Sequence, residues 1–258
     1  MSSSGELASR IAVAQIVGLS RARRVVPAGP FTGLFAVDAP AYLSYAVASR
    51  PGEPVLDAGA VVAALGLLRA EFGPGAVRFE LIDEACPGAV RLLVEAGLEI
   101  TLRTPLMTLA VDRVRVPETA PGVTVEYVST TDDRAAGAEV ANTAFGADGG
   151  DLPTTPPPPP VDGGSVLARV DGEPAAVASW TQIADGITEI VGVATAERYR
   201  RRGLGALVTA HAVEVAGRAG ATLTWLTPGG ADADRVYRGV GFTPVAWAVH
   251  LAEPSAGA

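Results

Sequence analysis

The run Arg200-Arg201-Arg202-Gly203-Leu204-Gly205-Ala206 constrains this chain more than any other stretch, because of what stands on either side of it. Upstream, Ile187 to Thr195 reads as a β-strand, rich in β-branched residues with small residues between them. Downstream, Leu204, Leu207, Val208, His211 and Val215 recur at three- and four-residue spacing, so Gly203 to Gly220 reads as an amphipathic helix. Gly203 and Gly205 allow a tight turn and a close approach to the main chain. The first-turn N–H groups of such a helix lack intrahelical partners, and its dipole adds partial positive charge, so the junction suits an anion. Two common phosphate motifs fail on spacing. The 258-residue chain contains no lysine, all 20 of its basic residues being arginine, which excludes a P-loop. A dinucleotide fingerprint needs a third glycine that is absent here.

The segments that follow add a pattern. Thr222-Leu223-Thr224-Trp225-Leu226 reads as a second strand, closed by Pro228-Gly229-Gly230. Ala231 to Phe242 reads as a short helix ending at Gly241, and Val245 to Leu251 as a last strand. The form R-x-x-G-x-G-A between strand and helix, followed by Tyr237 and then Gly241-Phe242, resembles the acetyl-CoA-binding core of the GNAT superfamily of N-acetyltransferases. The resemblance extends over about residues 122 to 251.

Two related halves are expected. Arg113 to Gly122 loses periodicity and carries Pro117, Pro121 and Gly122, which marks a linker. Domains are therefore placed at 1–116 and 117–258. In the second, Val123 to Val128 reads as a strand, Asp132 to Phe145 as a helix, and Ser165 to Val170 and Ala175 to Gln182 as strands. Between them, Gly146 to Gly164 is a long loop containing Pro156 to Pro160, either a substrate lid or a plain insertion. In the first half, Gly75 to Leu81 followed by Arg91 to Leu98 parallels Gly220 to Leu226 and Arg235 to Phe242. Ala41 to Ala48 is strand-like and Leu56 to Phe72 helical, but Arg50-Pro51-Gly52-Glu53-Pro54 stands where the glycine loop would be, and Leu93 where Tyr237 would be. The fold class expected is α/β (α+β): two GNAT-like domains in tandem, each a mixed sheet flanked by helices, the first degenerate.

The resemblance implies an N-acetyltransferase that moves an acetyl group from acetyl-CoA to a primary amine. It implies that main-chain groups of Val193, Ala194 and Thr195 face the pantetheine arm. Arg200, Arg201, Arg202, Gly203, Leu204, Gly205 and Ala206 would hold the pyrophosphate, and Tyr237 would protonate the departing thiolate. Glu189 shares a face with Val191 and Val193 by period-two alternation, which makes it the preferred base, with Glu126 a weaker candidate. His211 reads as a packed residue of the helix stripe, His250 lies in the last strand, and Cys86 reads as an inert buried thiol. A non-catalytic acyl-CoA sensor, and an acyltransferase using another acyl-CoA, remain open alternatives.

Charge and composition narrow the partners. A formal net charge of −8 argues against a broad nucleic-acid surface. No apolar run approaches the ~20 residues that span a bilayer, and Met1 to Glu6 lacks the basic start of a secretion signal. A single cysteine suits a reducing compartment, so a cytoplasmic protein is expected, and the Arg, Ala, Gly and Pro bias suggests a GC-rich bacterial genome. No residue spacing suggests a metal site. The chain is expected to act as a monomer, a pseudo-dimer by virtue of its two halves, or as a homodimer.

Overall fold

The computed structural model describes residues 3–37, 43–73, 75–147 and 152–254. The chain forms two compact units, Met1–Met107 with Pro244–Ala258, and Thr108–Thr243. The expected boundary at 116/117 differs from this division: residues 108–116 go with the second unit and the C-terminal strand with the first.

The first unit begins with α1 (Ser3–Leu19), then β1 (Arg23–Ala28), β2 (Phe31–Ala36) and β3 (Tyr45–Ala48). It continues with α2 (Ala58–Phe72), β4 (Arg78–Ile82), α3 (Ala89–Glu95) and β5 (Glu99–Ala110), of which Thr108 to Ala110 belong to the second unit. Residues 41 and 42 of the strand read at Ala41 to Ala48 lie outside the described residues. β1/β2 and β2/β3 are antiparallel, while β3/β4 is parallel, with α2 as the crossover.

Beyond residue 107 come β6 (Val123–Tyr127), α4 (Thr131–Ala144), β7 (Gly164–Val170), β8 (Glu173–Trp180) and β9 (Ile187–Thr195). They are followed by α5 (Leu204–Arg218), β10 (Leu223–Leu226), α6 (Ala231–Val240) and β11 (Thr243–Ala252). The second unit repeats the plan of the first. β6 to β9 form an antiparallel meander and β10 joins β9 in parallel through α5. The last strand, β11, pairs antiparallel with β4 from Ala248↔Ile82 to Ala252↔Arg78, which is why its residues belong to the first unit.

Sequence pattern accounts for the packing. In the first unit Val61, Leu65 and Leu68 of α2 and Leu92 and Leu93 of α3 close over Phe79, Leu81 and Val249. Phe31 and Phe79 meet edge-on at 4.9 Å between ring centroids, a geometry aromatic pairs favour. Leu93, the counterpart of Tyr237, is fully buried there. In the second unit Leu204, Leu207, Val208 and Val213 form the buried stripe of α5. His211 lies off that stripe, half-exposed, with Nδ1 3.4 Å from Glu214 Oε2; the expectation that it packs on the apolar face is corrected accordingly. On the opposite face of this sheet, Val140 of α4 packs with Leu167, Val177 and Ala194.

The first unit holds a polar group among its strands. Glu80 of β4 lies across from His250 of β11, 3.8 Å away, and Arg23 and Tyr45 also act on it. Burial pushes the Glu80 carboxyl up to about 7, against the opposing pull of the Arg23 charge and a Tyr45 hydrogen bond. Burial also lowers the pKa of His250. Folding therefore favours the protonated form of Glu80, and that contribution is complete below about pH 4.5 and lost as pH rises through about 7. The His250 contribution runs the other way, being lost as pH falls through its ordinary value of about 6.5. Glu80→Gln removes only the first of these. The melting temperature of the variant should rise relative to wild type from about pH 5 to about pH 8. Parallel pH profiles in differential scanning calorimetry would contradict the assignment.

Candidate functional site

The site is built where two parallel strands stop running together. β10 pairs with β9 at Leu223↔Ile187, Thr224↔Thr188 and Trp225↔Glu189, and the pairing ends there. β9 continues for six more residues, to Thr195, along β8 alone. One edge of its second half is thus left without a strand partner. Glu189 uses its N–H and C=O toward β8, where Thr181 Oγ1 and Thr181 N lie at 3.2 and 3.0 Å.

A bulge sits in the unpartnered stretch. Ser179 faces Val191, but Val177 faces Ala194, so β9 spends three residues where β8 spends two. Gly192, at φ +60°, absorbs the extra residue in a conformation few side chains accept. This overturns the alternation read from the sequence. Ala194, not Val193, follows Val191 on the face of Glu189, and it packs with Val177 against α4. Thr195 turns instead toward α5, where its Oγ1 would stand 3.8 Å from a Cβ placed on Gly205. Ala196 N–H reaches Ala175 O at 2.9 Å, so Ala194 also directs its main-chain groups at β8. Alternation then turns those of Val193 and Thr195 to the open edge. The Thr195 carbonyl is engaged there by Arg200 Nε at 3.3 Å.

Past a short 3-10 turn at Glu197–Tyr199, the chain enters α5 through two left-handed residues, Arg201 at φ +63° and Gly203 at φ +78°. A non-glycine residue held at positive φ is uncommon, and such strain concentrates at functional sites. Left-handed positions bracketing Arg202 turn successive N–H groups inward, as in an anion-binding nest. No side chain caps α5. Among the described residues, no backbone N–H from Arg201 to Ala206 has a partner; the first to be engaged is Leu207, to Gly203 O at 3.1 Å. A Cβ at Gly203 would meet nothing within 4 Å, so the space before the donors is open. Of the neighbouring arginines, Arg198 is 3.7 Å from Glu173, and the guanidinium groups of Arg198 and Arg202 lie over the Tyr199 ring.

Tyr237 and Glu189 line one cavity of about 680 Å³ with Val191, Gly192, Val193 and the Thr227 to Ala233 turn. The helix that carries Tyr237 stops at Gly241, left-handed at φ +119°, and Phe242 then packs edge-on to the Tyr237 ring at 6.1 Å. Tyr237 is buried, and that burial raises its pKa, so its hydroxyl keeps its proton at neutral pH. Its hydroxyl makes no hydrogen bond among the described residues. A second cavity, of about 270 Å³, shares Gly192 and lies on the α4 side, lined by Asp133, Arg134, Ser165 and Ser179. The two serine hydroxyls are 2.8 Å apart. Nothing in the sequence marked them, since serines on two strands announce no site until the register aligns them.

The remaining candidates fall elsewhere. Glu126 is exposed on β6. Cys86 is buried, its thiol donates to Ile82 O at 3.3 Å, and burial, with Asp83 and Glu84 beside it, pushes its pKa up to about 12. Among the described residues no group of His, Cys, Asp and Glu could hold a metal ion. Of the long loop, residues 148–151 lie outside the described residues. The proline run is tied down: Arg134 Nη1 donates to Thr155 O and Pro156 O at 2.9 and 3.1 Å, and Trp180 Nε1 to Pro160 O at 2.9 Å.

The matching place in the first unit borders a cavity of about 450 Å³ lined by Arg50, Glu53, Pro54 and Asp57, but several of its donors are already engaged. Asp57 carboxylate accepts the N–H groups of Gly59 and Ala60 at 2.8 and 3.1 Å, capping α2 with its own anion. Gly52, Glu53 and Val55 donate to Ala85, Arg50 and Pro87 carbonyls, and Pro51 and Pro54 have no N–H.

Comparison with other proteins identifies the family. The model of the acetyltransferase (GNAT) family matches residues 144–242. A GCN5-related N-acetyltransferase from Kribbella flavida is 45% identical over 97% of this chain and 96% of its own, with a TM-score of 0.84. At the level of fold, a GNAT-family acetyltransferase structure from Novosphingobium aromaticivorans covers 95% of this chain and 97% of its own at 21% identity and a TM-score of 0.58. A tandem GNAT protein from the clavulanic acid biosynthesis pathway covers 88% of this chain and 79% of its own at 14% identity and a TM-score of 0.57. No curated protein matches this chain. The chain belongs to the GCN5-related N-acetyltransferase (GNAT) family, and acyl transfer is the chemistry that membership supports.

Two outcomes follow for cofactor binding. Gly203→Asp should fold, since its Cβ enters open space and the left-handed backbone costs on the order of 1 kcal/mol. Its carboxylate would repel an anion at the free N–H groups, so calorimetric titration with acetyl-CoA should show binding abolished. Wild type should bind one acetyl-CoA per chain, because α2 is capped by Asp57. Unchanged affinity in the folded variant, or two equivalent sites in wild type, would contradict the loop assignment.

Proposed function

We propose that this protein transfers the acetyl group of acetyl-CoA to a primary amine of a small molecule or peptide, in its second unit. The observation that carries the reading is the conjunction of two features. A run of unpartnered N–H groups opens α5, and the strand leading to it has a free edge beside a cavity holding Glu189 and Tyr237. In this reading Arg201 to Ala206 hold the pyrophosphate. Val193 and Thr195 face the pantetheine arm along the edge that β10 leaves open, with Ala194 anchored to β8 between them. Arg200 fixes the loop to the Thr195 carbonyl.

The acyl carbon then lies near the bulge at Gly192, between the two cavities. The amine approaches from the α4 side. Its lone pair attacks the thioester carbonyl, and a main-chain N–H near Val193 steadies the oxygen as it gains charge. Glu189, directly or through water, accepts the proton the amine loses. The carbon–sulfur bond breaks as the tetrahedral centre collapses, and the thiolate takes the proton of the Tyr237 hydroxyl. Raised by burial, that phenol holds its proton until a thiolate forms beside it. No covalent enzyme intermediate is required.

The decisive experiment is release of free coenzyme A thiol from acetyl-CoA across panels of amines, amino acids, aminoglycosides and peptides. Binding of acetyl-CoA with no thiol release on any acceptor would favour a binding module instead. With an acceptor in hand, Tyr237→Phe keeps the ring that packs on Phe242 and removes only the hydroxyl. Turnover should fall toward the low end of the ~10²–10⁴-fold range of general-acid loss, because a thiolate is already a fair leaving group. The dissociation constant for acetyl-CoA should stay unchanged, and full activity of the Phe variant would remove the acid role from Tyr237.

A further inference from the structure

Phe145 follows the last turn of α4, and its backbone is fixed there. Its N–H reaches Ala141 O at 2.9 Å, Gly146 N–H reaches Thr143 O at 3.3 Å and Ala147 N–H reaches Asn142 O at 2.8 Å. With Gly146 left-handed at φ +71°, the last two bonds make the Schellman ending of a helix. The main chain is thus pinned, yet the Phe145 ring is 64% exposed, more than any other aromatic side chain among the described residues. A single exposed apolar residue is ordinary on a protein surface. This one lines the cavity that holds Glu189 and Tyr237. The charge of that cavity is one-sided. Among the described residues that line it, only Glu189 and Asp232 carry charge, and Asp232 is shared with Arg235 at 3.0 Å. Most of the remaining wall is aliphatic side chain or glycine.

We propose that the acceptor is an apolar primary amine without a carboxylate, an arylalkyl or alkyl amine whose body lies on the Phe145 ring while its nitrogen is directed to Glu189. Phe145 is then the residue that sets the acceptor preference. The inference rests on the acyl-transfer reading above and names the substrate class for it. In neutral solution such an amine arrives as an ammonium ion, which carboxylates attract and an aromatic face holds. It loses one proton to solvent before attack and the second to Glu189, so the transfer step stands as written. An acceptor bearing its own carboxylate would bring that charge beside Glu189 with no cationic lining residue to meet it, and repulsion and an unpaired charge would both reject it. Nor does the smaller cavity across Gly192 turn a guanidinium toward the acceptor. Arg134 there is directed at the Thr155 and Pro156 carbonyls, at 2.9 and 3.1 Å.

Three probes test it by thiol release from acetyl-CoA: phenethylamine, L-phenylalanine, which adds only the carboxylate, and ethanolamine, which has no apolar body. The kcat/KM for phenethylamine should exceed that for phenylalanine by at least about a hundredfold and that for ethanolamine by about tenfold. Phe145→Ala, at an exposed position, should keep the melting temperature, raise the KM for phenethylamine about tenfold and leave kcat within about twofold. Its constants for ethanolamine should not change, and Phe145→Tyr should behave as wild type. Calorimetric titration of phenethylamine into protein saturated with coenzyme A, where no transfer can occur, reads the contact without the chemistry, and Phe145→Ala should weaken it equally. Phenylalanine turned over as well as phenethylamine, or a KM that Phe145→Ala leaves unchanged, overturns this proposal and leaves the acyl-transfer reading standing. Phenethylamine bound through Phe145 with no thiol released from any acceptor overturns the acyl-transfer reading and leaves the recognition standing. Phenethylamine that neither binds nor reacts overturns the proposal.

Discussion

The end of the β9/β10 ladder at Glu189↔Trp225 is the constraint on which the second unit's site depends. Unpaired main-chain groups are costly when buried, so a strand whose neighbour stops must find other partners or face a space that can hold them. β9 does both. It keeps β8 on one side, with a bulge at Gly192 that resets its register. On the other side it opens a cavity with Tyr237 and Glu189 at its wall. Had β10 continued in register past Trp225, the groups of Val193 and Thr195 would be spent on a neighbouring strand and no extended ligand could lie along them.

The two units treat the same kind of helix terminus differently. Both present a helix N-terminus after a parallel-crossover strand. In α2 an aspartate supplies the anion from within, and in the approach Gly52, Glu53 and Val55 donate to carbonyls of the same unit. In α5 the same terminus is left uncapped, and two left-handed residues keep the preceding chain from folding over it. The difference in stability runs against the open site, since a capping carboxylate is worth about 1 kcal/mol to a helix. Water or a ligand must then supply the acceptors that α5 lacks. This asymmetry is the physical reason for reading one unit as the catalytic one.

Charge is arranged in the same spirit. The chain is acidic overall, with a formal net charge of −8, yet four arginines stand between residues 198 and 202. Their observed uses are structural as well as electrostatic: Arg200 closes on the Thr195 carbonyl, and the guanidinium groups of Arg198 and Arg202 lie over the Tyr199 ring. The local cation excess thereby sits beside the free N–H groups that open α5.

Much of this was legible in the sequence, and the parts that were not share a cause. Strand β9 was read with its observed bounds at Ile187 to Thr195, and Gly203 and Gly241 bound their helices where glycine spacing put them. Such features are local, fixed by β-branched runs, by helical periodicity and by the few residues that accept positive φ. The pairing of β11 with β4 was not legible, because a strand carries no mark of the partner it will choose, and it moves Pro244–Ala258 into the first unit. The face of Val193 was misread, because a bulge depends on register with β8, and Gly192 in a strand is only a hint of one. Sequence alone marked most strands and helices of the second unit and a glycine-rich turn at the start of α5, while α1, β1, β2 and β5, whose segments carry no clear local signal, went unread. Tertiary structure decided which edges were left open, and it brought Glu189 and Tyr237, 48 positions apart in the chain, to one cavity wall through strand pairing that no local pattern encodes.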